Sequence, residues 1–520
     1  MKKSFLKGAG ILALATFFAK IAGAFYRIPL TNALGAEGMG VYQLVFPVYA
    51  FILSTSSGAL PVAISILVSD KLAKDKGDEA KTILHASMSV LLMVGIVLSG
   101  ALILLSGSLS RLQGSSQARL GYVAIAPAVF FVSGIAVLRG WFQGNGNMTP
   151  SAISQISESI VKLAAGLTLA ILLMRYGISW AVFGAMLGVT LSEGVTFIIM
   201  YIMYRKDNPP FRLSLNWRAS REKYKEIIKI SMPMTIGGMI LPFSQIIDSL
   251  LVVNILSRTL QETGATSSYG LFTGYVSTLI NLPIVLALSL GIAVIPQLSK
   301  GKAERDISLI KQKRDTALKL SLMIGVPFAF LYATMPAGIL NFLYPSLSLA
   351  ELGEAAMLLR IGAFSVIALA ATQIFTSIMQ GLGASYRAVK NMAIGVGVKI
   401  ALNLILLPFL GIYGVAIASV TCFTLTAALN FVSVSRLTGK STEMYKNSGI
   451  IVLSGVIMGG AVLLINLITN GKSAAIAATI VGGIIYFLLL LVFKAFSESE
   501  LLSLPFGKQL AALSKSITRG

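Results

Sequence analysis

Long apolar runs, broken by short polar connections, follow one another along nearly all of this 520-residue chain. An α-helix needs about 20 apolar residues to cross the hydrocarbon layer of a bilayer, and most of these runs reach that length. The pattern predicts about fourteen spans, near 9–33, 39–69, 82–106, 120–143, 150–175, 178–204, 227–256, 268–298, 315–338, 355–381, 388–410, 413–436, 447–468 and 473–496. The expected class is therefore an all-α polytopic membrane protein. The second, seventh and eighth spans are longer than a bilayer needs, so they should tilt, bend or protrude. Pro47 and Pro61 in the second, and Pro283 and Pro296 in the eighth, are the expected bend points.

An internal repeat overlies this pattern. The stretch Arg139-Gly-Trp-Phe-Gln-Gly-Asn-Gly-Asn-Met-Thr-Pro150 returns in weaker form as Ser377-Ile-Met-Gln-Gly-Leu-Gly-Ala-Ser-Tyr386. One offset of 237 residues relates Gly144 to Gly381, Gly146 to Gly383 and Lys162 to Lys399. A repeat with intramembrane lysines in register points to a two-lobed transporter with a charged central cavity. The expected organisation is an N-lobe over 1–204 and a basic linker over 205–229. A C-lobe over 230–437, two further spans over 438–497 and a tail over 498–520 complete it. Within the linker, Asn208-Pro209-Pro210 should break the helix, and the basic run after it should form an amphipathic segment at the membrane face. Leu501, Leu502, Leu504, Leu510 and Leu513 suggest a second interfacial helix in the tail.

The net charge of +22 would suggest nucleic acid in a soluble chain. Here 56% of residues are hydrophobic, 12% are charged, and the cations gather in the connections, so nucleic acid is not an expected partner. Lysine and arginine concentrate at the N-terminus, after the second span, in 205–229 and after the eighth span. That asymmetry places both termini in the cytoplasm. Ala22-Gly23-Ala24 resembles a signal-peptidase site, but Lys20 interrupts the preceding apolar run, which favours a retained first span. Cys422, the single cysteine, sits in an apolar segment and reads as a small buried thiol. Asn470-Gly471-Lys472-Ser473 ends like a phosphate-binding loop, but position 466 is Asn where that loop needs Gly. The one histidine, His85, excludes a histidine-based metal cluster. No enzymatic activity and no cofactor are expected.

Charges inside spans are costly, so those present are the candidate functional groups. Lys20 and Arg27 lie two helical turns apart on the first span and can share a face; snorkelling to the interface is the plain alternative for Arg27. Arg139 ends the fourth span beside Trp141, where an interfacial anchor competes with a cavity role. Gln155, Glu158 and Lys162 form one stripe on the fifth span, and Glu158 is spaced to pair with Lys162. Lys399 has Gly395 where Lys162 has Glu158, and Asn403 lies one turn on. Glu193 and Asp248 are the other intramembrane acids, suited either to a coupling cation or proton or to pairing with lysine. Asn254, Asn281 and Asn391 are placed to hydrogen-bond between helices.

Gly23-Ala-Phe-Tyr-Arg27, Leu34-Gly-Ala-Glu-Gly-Met-Gly-Val-Tyr42 and Gly58-Ala-Leu-Pro-Val-Ala-Ile-Ser65 resemble the first hairpin of the polysaccharide and lipid-linked-oligosaccharide flippases. The block from Arg139 to Pro150, with Ala152-Ile-Ser-Gln155, is similar to the SpoVB and YtgP branch. That branch belongs with the MurJ-like proteins in the multidrug/oligosaccharidyl-lipid/polysaccharide exporter superfamily. The resemblance implies two six-helix lobes in a V around a central cavity, plus two C-terminal helices that help form a groove for a lipid tail. It implies movement of an undecaprenyl-pyrophosphate-linked cell-wall precursor such as lipid II from the inner to the outer leaflet of the bacterial cytoplasmic membrane. Partners on this view are the lipid-linked saccharide, membrane lipids and cell-wall synthesis proteins, in vegetative growth or sporulation. The pattern is not complete. Lys20 stands at the place of one family arginine, and Arg27 is one residue displaced from another. The segment Ser54-Thr55-Ser56-Ser57 lacks the arginine expected in the second span, so Lys162 and Lys399 become the alternative anion-binding groups. Arg139 belongs to the same cationic set.

Three rivals remain at this stage. A cation-coupled multidrug exporter of the same superfamily would want buried acids to dominate, and bases outnumber them in these spans. A membrane glycosyltransferase or polymerase would want a carboxylate cluster or a large external loop. A scaffold without transport would leave the intramembrane lysines without a purpose. A coupling ion is left open, and the chain carries no ATP-binding pattern.

Overall fold

The computed structural model describes residues 2–54, 59–210, 217–439, 442–468, 472–496 and 509. Of the expectations above, Thr55–Ser57, residues 211–216 of the basic linker, most of the tail and the start of Asn470–Ser473 fall outside them. The described residues are helices joined by short turns. Among the described residues, twelve helices are long and apolar enough to cross a membrane, or thirteen if Leu349–Gly362 and Ser365–Gly381, bent by 45° at their junction, make one span. Fourteen separate crossings are therefore not resolved by length and composition. Apolar side chains far out of the packed interior, such as Leu104 at 83% exposed and Phe409 at 84%, suit faces turned to lipid.

The chain divides into two compact units, Met1–Tyr275 with Asn403–Ile412, and Val276–Leu402 with Tyr413–Gly520. The division by compactness falls at 275/276, beyond the basic 205–229 segment. The first unit opens with α1 (Lys2–Leu53), two helices joined across a kink at Gly35 that cover the first expected span and about the first half of the second. Gly35, at φ 68° and ψ −177°, is its one non-helical residue, and only glycine holds that conformation cheaply. Pro47 lies within α1, whereas Pro61 starts α2 (Leu60–Ala73) rather than bending a longer helix. There follow α3 (Gly77–Leu112), α4 (Ala118–Gly144) and α5 (Thr149–Val161). A π-helical turn at Lys162–Gly166 carries α5 into α6 (Leu167–Leu173), followed by α7 (Ile178–Arg205). In α8 (Trp217–Leu256) the latter part of the expected linker is continuous with the seventh span, not a separate interfacial segment. The short α9 (Glu262–Gly270) and a second π-helical turn, Leu271–Val276, lead on.

The second unit contains α10 (Ser277–Ala303), α11 (Ile307–Thr334), α12 (Pro336–Leu343), α13 (Leu349–Gly362) and α14 (Ser365–Gly381). It continues with α15 (Ser385–Leu410), whose end from Asn403 belongs to the first unit, then α16 (Ile412–Thr438, in the second unit from Tyr413), α17 (Thr442–Ile468) and α18 (Lys472–Val492). Pro283 and Pro296 both lie inside α10. Local chemistry sets several helix starts. Asp306 caps α11 by accepting from the Leu309 amide at 2.9 Å, and that bond, helped by the Ser308 hydroxyl, holds its carboxyl below the usual range. Ser348 and Glu351 form a reciprocal capping box on α13.

Each unit has its own core. In the first, Ile64 and Val68 of α2 pack with Leu84 of α3, Leu138 and Trp141 of α4, and Met200 and Tyr204 of α7. In the second, Leu322 and Val326 of α11 meet Ile374 and Ile378 of α14, Met458 and Val462 of α17, and Tyr486 of α18. α17 seats on α11 through a glycine. A Cβ on Gly455 would overlap Val326 Cγ1 and come within 2.7 Å of Phe330 Cδ2.

The repeat is visible as one turn built twice. After α4 the amides of Asn145, Gly146 and Asn147 donate to the carbonyls of Trp141, Gln143 and Phe142. After α14 the amides of Leu382, Gly383 and Ala384 donate to Ile378, Gln380 and Met379, every position shifted by 237. Both are helix C-terminal motifs that need a left-handed residue, supplied by Gly146 at φ 75° and Gly383 at φ 71°. The preceding glycines do a different job. A Cβ on Gly144 would lie 2.7 Å from Val68 Cβ, and one on Gly381 2.9 Å from Leu298 Cβ, so both permit close helix packing.

Candidate functional site

The first unit holds a polar cavity of about 270 Å³ among α1, α4, α5 and the π-helical turn. Its wall includes Thr16, Lys20, Gly23 and Tyr26 from α1, Arg139 from α4, Gln155, Glu158 and Ser159 from α5, and Lys162. That volume is close to the lower end for small-molecule pockets, roughly 300–1,000 Å³.

The sequence positions these groups in steps. Pro150 sits in the first turn of α5, where a missing amide costs nothing, directly after the Gly146 turn. Helical spacing then puts Gln155, Glu158 and Lys162 on one stripe. At Lys162 the helix widens into a π turn, a feature common at functional sites. Two glycines of α7 let this segment approach. A Cβ on Gly188 would overlap the Gly166 Cα, and one on Gly184 would sit 2.5 Å from the Leu169 carbonyl oxygen. From the other side Thr16 Oγ1 donates to Gln155 Oε1 at 2.7 Å and ties α1 to α5.

Glu158 is the hub of the cavity. Lys162 Nζ donates to its Oε1 at 3.0 Å, and Arg139 Nη2 donates to its Oε2 at 3.2 Å. Arg139 Nε also donates to Ser154 Oγ at 2.9 Å. The three ionic side chains are 21–25% exposed, so they are partly screened rather than dry. Lys20 faces the same space, and among the described residues it has no ion-pair partner. Three cations and one carboxylate leave the lining with a formal charge of +2. Such a wall can bind an anion that is too strongly hydrated to enter hydrocarbon unaided.

Of the candidates read from the sequence, Lys20, Arg139, Gln155, Glu158 and Lys162 come together here. Arg139, read with a cavity role and an interfacial anchor as alternatives, bonds Ser154 and Glu158 and lines this cavity. Arg27 is half-buried two turns along α1 and is not part of this wall. Glu193 on α7 is buried beside the cavity, not in its lining. It accepts from the Tyr49 hydroxyl at 3.3 Å and lies in electrostatic range of Glu158, Lys162 and Arg139. Asp248 is buried on α8 and accepts from Asn403 Nδ2 at 2.8 Å. Asn403 is thus committed to Asp248 through that amide, a partner not anticipated when it was read as positioning Lys399. Lys399 itself is 7% exposed on α15. Asn254 reaches across to the Leu112 carbonyl and Asn391 to Asn430, as anticipated, whereas Asn281 bonds the Ser277 carbonyl within its own helix.

Sequence reasoning missed Ser154, Thr16 and Tyr49. Helical spacing carried a signal for two of them. Ser154 is four residues before Glu158, and Thr16 four before Lys20, each one turn away on the same face.

The family described as polysaccharide biosynthesis protein matches residues 5–302. Stage V sporulation protein B of Bacillus subtilis (strain 168) is 27% identical over 97% of this chain and 98% of its own. Lipid II flippase MurJ of the same organism is 24% identical over 94% of this chain and 95% of its own. A solved structure, lipid II flippase MurJ in an inward closed conformation, superposes with a TM-score of 0.74 at 18% identity, covering 93% of this chain and 98% of that one.

Proposed function

As a member of the polysaccharide biosynthesis protein family, to which the chain belongs, this protein is, we propose, a flippase for an undecaprenyl-pyrophosphate-linked saccharide, a lipid II-like cell-wall precursor or a related polysaccharide repeat unit. It makes and breaks no bond. It moves the headgroup from the inner to the outer leaflet by alternating access, while the polyprenyl tail stays in lipid. The observation that carries this reading is the cation-rich cavity inside a membrane-spanning unit, with Lys20, Arg139 and Lys162 facing one space. A diphosphate crossing hydrocarbon needs such a path, because a charge at the bilayer centre costs several kcal/mol or more. An exporter of cationic drugs would need the opposite sign. Lys399, in register with Lys162, supplies the matching cation of the second repeat.

Leaflet-resolved measurement of lipid II in the native host tests this. Depletion of the protein should hold the precursor in the inner leaflet. Lys20→Arg should restore transfer, and Lys20→Gln should lower it about tenfold or more, the factor that 1.4 kcal/mol corresponds to. Full transfer by a well-expressed Lys20→Gln/Lys399→Gln variant would overturn the cationic path.

Orientation is a separate expectation of the same reading. The basic segment 205–229 and both termini face the cytoplasm. A cysteine introduced by Arg218→Cys should resist an impermeant thiol reagent in intact cells and react after permeabilisation. Labelling from outside would reverse the topology.

A further inference from the structure

We propose that Glu158 is a displaceable internal counter-anion: it holds Arg139 and Lys162 in the empty cavity, and yields both to the diphosphate of an incoming substrate while taking up one proton. This deepens the reading of the cavity as a diphosphate site and rests on it.

The geometry gives Glu158 this place. Each carboxylate oxygen is committed to a different cation, Oε1 to Lys162 and Oε2 to Arg139, and all three side chains line the cavity. Any anion that engages either cation must compete with Glu158 for it. Without the carboxylate, three cations would crowd one partly buried space, and like charges there repel. With it, the empty state is held together, and the substrate meets a site already partly neutralised.

Displacement changes what surrounds Glu158. Lys20, Tyr26 and Tyr49 face it from α1, Arg139 from α4, Glu193 from α7 and Lys162 from its own helix. Once Arg139 and Lys162 turn to the phosphates, the carboxylate has lost its two cation partners and stands beside a new dianion. Loss of opposite charge and gain of like charge both favour its neutral form. The step balances as one proton from bulk solvent onto one Glu158 oxygen, with no covalent bond of the substrate changed. Glu193 is less suited to this work, because it is absent from the lining and pairs with neither cation. The second repeat has no equivalent device. Gly395 stands at the register of Glu158, and a Cβ there would overlap Thr426 Oγ1 and lie 2.9 Å from the Cys422 carbonyl oxygen.

The test uses the full chain in lipid nanodiscs, with inorganic pyrophosphate as the probe. Titration calorimetry in buffers of different ionisation enthalpy counts protons taken up on binding. Comparing wild type with Glu158→Gln at one pH cancels the protons of the probe itself. The variant should bind about tenfold or more tightly and take up about one proton fewer. Equal proton counts, or binding no tighter than wild type, overturn the proposal while leaving the diphosphate site standing. Binding to neither protein removes the diphosphate site itself. Infrared difference spectra of the wild type decide the case if the variant folds poorly. A protonated-carboxyl stretch should grow with added pyrophosphate, and its absence overturns the proposal.

Discussion

Gly188→Ala is expected to cause one of the largest losses of stability available to a single methyl group in this protein. The added Cβ would overlap the Gly166 Cα, so a methyl with no rotamer to turn meets backbone and cannot relieve the clash. Overpacking a core typically costs about 1–3 kcal/mol, and a contact without side-chain freedom belongs at or beyond the upper end. The damage should also reach function, because Gly166 closes the π turn that begins at Lys162. Pushing α7 away from that turn moves Lys162 relative to Arg139 and Lys20. Gly100→Ala is the control, since nothing lies within 4 Å of its added Cβ in α3. Helix propensity alone should then make it neutral or stabilising by up to about 1 kcal/mol. Thermal unfolding followed by fluorescence size-exclusion would check both. A Gly188→Ala protein as stable as wild type would show that the α7 crossing is looser than described.

The same glycines explain what could be read from the sequence and what could not. Membrane spans, the repeat and the turn at Gly146 and Gly383 were legible, because each depends on local hydropathy or a local backbone requirement. The stripe of Gln155, Glu158 and Lys162 was legible because helical period is local too. The failures involve contacts between helices. Pro61 carries no label saying whether it bends a helix or begins one. The partners of Arg139 and of Asn403 come from other helices, and a single sequence does not reveal them. Gly395 shows the same limit from the other side. Its lack of a carboxylate was legible as a difference between repeats, but its physical reason was not. The reason is the wall formed by Cys422 and Thr426, which leaves no room for a side chain.

The repeats have therefore diverged in their charge chemistry. At the register of Glu193 the second repeat has Asn430, and at that of Ser154 it has Asn391; these two amides bond each other at 2.9 Å. Glu158 and Glu193 of the first repeat thus have uncharged counterparts, while Lys162 and Lys399 persist. The titratable carboxylates of these paired positions are confined to one repeat. That asymmetry suits a transporter in which one unit carries the exchangeable charge.

Arg139→Gln/Lys162→Gln should be far more damaging than either single change. Glu158 holds one cation on each oxygen, so losing Lys162 leaves Arg139 at 3.2 Å, and losing Arg139 leaves Lys162 at 3.0 Å. Either single variant keeps a paired carboxylate and should fold, with a modest loss. The double variant strands a carboxylate within the helix packing. Breaking a buried pair by removing one side costs roughly 3–5 kcal/mol, and side chains that retain about a quarter of their exposure belong toward the lower part of that range. The expected signature is strong non-additivity, with an interaction energy above about 1 kcal/mol in a double-mutant cycle on thermal stability. A third change, Glu158→Gln, should then restore much of the stability by removing the stranded charge. It should not restore transfer, because Lys20 would be the only cation left in the lining. Stability and transport would separate in one set of variants. Simple additivity of the two single losses would mean that Glu158 does not couple Arg139 to Lys162, and recovery of full transfer in the triple variant would remove those two cations from the substrate path.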